Sequence, residues 1–92
     1  MTRDKILETA YELAEANGFT SLTRDGVAVA AGVAQGTVNH HFNSMAELRD
    51  EVMRSAVERA NLTIIRTGLV MNNQIALTAS EVVKRKALTD LL

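Results

Sequence analysis

An all-α fold is the class this sequence predicts, on three observations. Proline is absent from all 92 residues, so no ring interrupts a helix by removing its N–H. Hydrophobic residues make up 47% of the chain but aromatics only 3%, and Ala, Leu, Val, Glu and Arg dominate. Those residue types lose little conformational freedom in a helix. Finally, apolar residues recur at three- and four-residue steps rather than in alternation.

The elements follow in order. Thr2 can cap a first helix, with Asp4 near the positive end of its dipole and Ile6, Leu7, Ala10, Leu13 and Ala14 along one face. Asn17-Gly18 ends it, Gly18 being suited to a left-handed C-terminal cap, and Phe19 anchors the turn. Thr23 is the better N-cap for a second helix running to about Ala31, with Leu22, Val27, Ala28 and Ala31 facing inward. Gly26 is its weak point. Gly32 makes a turn that Val33 plugs, and a third helix runs from about Gln35 to Phe42.

Ser44 and Glu47 form a capping box that opens a fourth helix, each side chain accepting from the other's backbone N–H. Met45, Leu48, Val52, Ala56, Ala60 and Ile64 extend the apolar face, so this helix is expected to be long, ending at Gly68 or Asn72-Asn73. A last amphipathic stretch, Gln74 to about Leu92, carries Ile75, Ala79, Val82, Val83, Leu88 and Leu91. The architecture expected is a three-helix helix-turn-helix domain, then a long fourth helix and a short C-terminal helix. Its domain division is 1–50 and 51–92.

Composition excludes several classes of function. With no cysteine there is no disulfide framework, and the first residues are amphipathic rather than a signal peptide. The most apolar run, Leu62 to Met71, is interrupted by Arg66 and is too short to span a bilayer. A cytoplasmic protein with no membrane contact is expected. Residues 1–51 hold four bases against eight acids, a net of −4, whereas residues 52–92 hold six bases against three acids, a net of +3. This balance argues against a protein that coats nucleic acid without regard to sequence.

Two short helices around Gly32, preceded by a packing helix, have the physics of a helix-turn-helix. The small Ala31 lets the helices approach, Gly32 bends the chain, and Val33 locks the angle by burial. The segments "ILETAYELAEANGF", "LTRDGVAVAAGVAQGT" and "HFNSMAEL" sharpen this reading. From residue 3 to about 50 the chain resembles the N-terminal DNA-binding domain of the tetracycline-repressor (TetR) family. The shared features are a first helix ending in Gly-aromatic, a Thr before helix 2, A-x-x-A-G-V at the turn, and G-T-hydrophobic opening helix 3.

The resemblance implies a site residue by residue. Gln35, Gly36, Thr37, Asn39 and His40 occupy the recognition-helix positions that face bases, while Thr23, Arg24 and His41 occupy positions that meet the DNA backbone. Gln and Asn can pair bidentately with adenine, and a Thr methyl can meet the thymine methyl. Gly36 allows a close backbone approach. Val38 and Phe42 would pack the helix onto its neighbours.

Three positions depart from the family pattern. Ala34 replaces a Ser cap, Asn39 stands where Tyr is usual, and Met45 where a phosphate-binding Lys is usual. Arg3, Arg24, Arg49 and the two histidines are left to share the phosphate contacts. Moreover, about 25 residues after helix 4 are too few to enclose a ligand-sized cavity, so no small-molecule inducer is expected.

Other readings are blander. The adjacent His40 and His41 diverge by about 100° on a helix and lack a third ligand at zinc spacing, so no metal or other cofactor is expected. Glu8, Glu12 and Glu15 form a charged outer face without a nucleophile or phosphate loop, and no enzyme is indicated. The expected function is a sequence-specific transcriptional regulator, a repressor in sign. It binds a palindromic site on double-stranded DNA as a homodimer held by helix 4 and the C-terminal helix. The alternative is a protein-interaction module that docks on, or forms mixed dimers with, another regulator.

Overall fold

The computed structural model describes residues 2–89. Among them the regular structure is wholly helical: α1 (Thr2–Asn17), α2 (Arg24–Ala31), α3 (Gln35–His41), α4 (Met45–Glu58), α5 (Leu62–Val70) and α6 (Glu81–Thr89), with 3-10 turns at Phe19–Ser21 and Ala76–Thr78. The all-α expectation holds. The chain forms two compact units, Met1–Val52 and Met53–Leu92.

In the first unit α1 packs on α2 and α3, and α2 packs on α3. Ile6, Ala10, Tyr11 and Ala14 are the buried stripe of α1, set at the three- and four-residue spacing of a helix face. Leu22, Val27, Ala28, Ala31, Val38, Phe42 and Leu48 complete this core. Thr2 is the first helical residue rather than a cap ahead of the helix. Gly18 also departs from expectation: its φ is positive at 101°, but its ψ of 141° is extended rather than left-handed helical. That combination is accessible almost only to glycine.

In the second unit the expected long fourth helix is broken in two. α4 stops at Glu58 because the chain closes a Schellman cap: Asn61 N–H donates to Ala56 O at 2.9 Å and Ala60 N–H to Val57 O at 3.2 Å. Ala60 takes the left-handed position of this cap, with φ 53°. Asn61 then restarts the chain as the N-cap of α5, its side chain accepting from Ile64 N–H at 3.2 Å.

The last helix begins at Glu81, not near Gln74. Asn73 diverts the backbone by accepting from Ile75 and Ala76 N–H at 2.9 and 3.0 Å, and Ser80 accepts from Val83 N–H at 3.2 Å to cap α6. The expectation for Leu91 lies outside the described residues. α5 packs on α6, and Gly68 sits at a close approach where a Cβ would lie 2.5 Å from Met53 Cε and 2.7 Å from Ala76 Cβ. The Lys84 ammonium, 3.0 Å from Glu81 Oε1, holds that exposed carboxyl below its usual range.

Candidate nucleic-acid interface

The interface is built on α2, the turn and α3. Thr23 is extended, with φ −131° and ψ 155°, and its hydroxyl accepts from Gly26 N–H at 3.1 Å, so it caps α2 as expected. Gly26 is less a weakness than a fit, because a Cβ there would stand 2.9 Å from Thr23 Oγ1. α2 ends at Gly32, with φ 71° and ψ 34°. Val33 N–H donates to Ala28 O at 3.0 Å and Gly32 N–H to Val29 O at 3.2 Å, again a Schellman cap. The turn is therefore fixed by backbone geometry that favours glycine.

α3 has only seven residues, far below the length at which an isolated helix is stable. Ala34 N-caps it with no side-chain bond. Tertiary burial holds it instead: Val38 and the C-cap Phe42 are each 1% exposed, contributing roughly 1.5–3 kcal/mol apiece. The guanidinium of Arg3 lies 4.7 Å from the centroid of the Phe42 ring and 3.7 Å from Glu51 Oε2. Arg49 Nη2 donates to Leu22 O at 3.2 Å. Both arginines, expected to share phosphate contacts, are thus engaged in holding the domain together.

The start of α4 is capped much as expected, with one change. Glu47 N–H donates to Ser44 Oγ at 3.1 Å, but the Glu47 carboxylate accepts from Asn43 N–H at 2.9 Å, one residue before Ser44. That bond ties the segment leaving α3 to the first turn of α4.

Burial of Val38 and Phe42 turns the opposite side of α3 to solvent. Gln35, Gly36, Asn39 and His40 are exposed, and Thr37 and His41 are half-buried. The imidazole rings of His40 and His41 meet edge to face, 5.0 Å between centroids and 77° between planes. A Cβ added at Gly36 would meet nothing within 4 Å, so no packing within the chain demands glycine there. Thr23 is exposed and Arg24 half-buried at the start of α2. One participant escaped sequence reasoning: Gln35 Nε2 donates to Asp25 Oδ1 at 3.0 Å. Ten residues separate the two, and no local pattern joins them.

The family profile described as "Bacterial regulatory proteins, tetR family" matches residues 6–52, half of the chain and all of α2, the turn and α3. The chain belongs to the TetR family. The matched segment is the TetR helix-turn-helix DNA-binding domain, and the family is one of transcriptional regulators, not enzymes. Two TetR relatives, both from Pseudomonas putida, are similar over 54 residues at 39% identity, covering 59% of this chain. They are the HTH-type transcriptional regulator SrpR and the uncharacterized HTH-type transcriptional regulator TtgW. The match spans 25% of the first relative's length and 40% of the second's. Among the described residues of this TetR chain, no helix is long and apolar enough to cross a membrane.

Proposed function

We propose that this chain is a sequence-specific transcriptional repressor that binds a palindromic operator as a homodimer. Residues 1–50 read the DNA and residues 51–92 join the subunits. The observation that carries the reading is the outer face of α3, which is polar, exposed at Gln35, Gly36, Asn39 and His40, and free of Lys, Arg, Asp and Glu, above a firmly buried Val38 and Phe42. Such a face suits hydrogen bonding to base edges better than general attraction to phosphate.

Gln35, Thr37, Asn39 and His40 contact bases, with Gly36 allowing the approach. Thr23, Arg24 and His41 position the helix on the backbone. Two such helices enter successive major grooves about 34–36 Å apart and occlude a promoter. The protein works beside the chromosome, in the cytoplasm.

Support for the dimer comes from the second unit. Val70, Met71 and Val82 are 68%, 53% and 60% exposed, and Leu88 is 44% exposed. Apolar groups at this density on so small a unit favour burial against another subunit. Val70 and Leu88 line one groove of about 430 Å³ and Val82 another of about 360 Å³, both open to solvent. A second subunit would cover them, and no small-molecule inducer is assigned to this chain.

The test is base preference in Gln35→Ala and Asn39→Ala. Each variant is expected to relax selection at its own position within the half-site, leaving the others intact. Unchanged preference in both would refute the assignment of base readers.

A further inference from the structure

The Asp25–Gln35 bond sets a carboxylate beside a face that is to meet polyanionic DNA. The unit that carries it is already acidic, with four bases against eight acids in residues 1–51. Asp25 is one of those eight, and a negative group close to the phosphates lowers affinity for every sequence. Its chemistry, however, acts on Gln35 in a specific way.

A glutamine amide has an NH2 end and a carbonyl end, and a free side chain presents either one by rotation. A carboxylate only accepts hydrogen bonds, so it draws the NH2 end. Gln35 Nε2 lies 3.0 Å from Asp25 Oδ1. One N–H is thereby occupied, which leaves the amide one N–H and its carbonyl oxygen to offer a base. That donor-acceptor pair complements adenine, which offers N7 as acceptor and N6–H as donor. Guanine offers two acceptors, N7 and O6, and is met poorly by an amide held in this sense.

We propose that Asp25 is a positioning residue for base readout: it orients the Gln35 amide so that Gln35 selects adenine over guanine. This inference rests on the reading of Gln35 as a base contact. Asp25 itself need touch no base. It sits on α2, and its effect passes through the 3.0 Å bond to the first residue of α3.

The experiment measures affinity of the full chain for a duplex selected from random DNA and for versions carrying each base in turn, at one salt concentration. Gln35→Ala identifies the base pair that Gln35 reads. Asp25→Ala is expected to reduce the adenine-to-guanine preference at that same pair by about tenfold. Its affinity for a scrambled duplex should stay the same or rise, because a negative charge has gone. The double variant should lose no more preference than Gln35→Ala alone. Asp25→Asn, which keeps the side-chain volume but can offer either end of its own amide, should lose preference in the same direction and serves if Asp25→Ala melts.

A full adenine preference in Asp25→Ala and Asp25→Asn, with loss in Gln35→Ala, overturns the positioning role and leaves the base reading standing. An equal loss of affinity for all sequences also overturns it, since that is what simple weakening of α2 would do. Unchanged preferences in Gln35→Ala overturn the base reading and the positioning role together.

Discussion

Gly36→Ala separates what the fold needs from what the DNA needs. Gly36 is the second residue of α3, its φ is not positive, and a Cβ there would meet nothing within 4 Å. Alanine is therefore free to replace it within the chain. Helix propensity and a less flexible unfolded state should together raise stability by about 0.4–1 kcal/mol. For a chain of this size that is a rise in Tm of roughly 2–8 °C.

Affinity should move the other way. A methyl group on the outward face of α3 holds the backbone off the duplex, and one lost hydrogen bond costs about 0.5–1.5 kcal/mol. That corresponds to roughly a two- to twelvefold weaker Kd. Thermal melting by far-UV circular dichroism and fluorescence anisotropy on a selected duplex give the two numbers. A variant that melts higher and still binds like the parent would refute the assignment of Gly36 to the DNA surface. A variant that melts lower would refute the open space described around it.

Three further substitutions test the backbone devices, each by thermal or urea melting. Ala60→Gly should stabilise by about 1 kcal/mol, because alanine at φ 53° carries left-handed strain that glycine lacks; destabilisation would mean that α4 does not end there. Gly68→Ala should destabilise by about 1–3 kcal/mol, since its Cβ would stand 2.7 Å from that of Ala76 and 2.5 Å from Met53 Cε. In Gly26→Ala a gain of up to about 1 kcal/mol in helix propensity is set against loss of the Thr23 cap, usually about 1 kcal/mol. Its stability should change little while DNA affinity falls, because the new Cβ displaces the Thr23 hydroxyl. A clear gain in stability with unchanged binding would show that Thr23 neither caps α2 nor meets DNA.

The first unit was largely legible because its signals are local. Thr23, Ser44 and Gly32 announce their caps by residue type, and Val38 and Phe42 stand four apart, as one helix face requires. The break after α4 was not legible for an equally local reason. Ala60 occupies a left-handed cap although alanine is the strongest helix former, so its identity argued for continuing the helix. Asn61 and Asn73 did carry capping and turn information, but only the side-chain bonds show that Asn61 starts α5 and that Asn73 turns the chain.

Within the candidate interface, residue types told which groups α3 presents but not how they are held. The Arg3 contact with Phe42, the Arg49 bond to Leu22 O and the Asp25 bond to Gln35 all join residues from different elements. Such pairs leave no periodic trace in a single sequence. They change the electrostatic picture, since two of the four bases in residues 1–51 serve the fold.

The central claim is that a recognition helix without Lys or Arg discriminates DNA by direct contact. The most direct measurement is the ratio of Kd values for a duplex selected from random DNA and its scrambled counterpart, at one physiological salt concentration. The selected duplex should bind at least about a thousandfold tighter, the lower end for specific complexes. Equal affinity for the two duplexes would contradict the account.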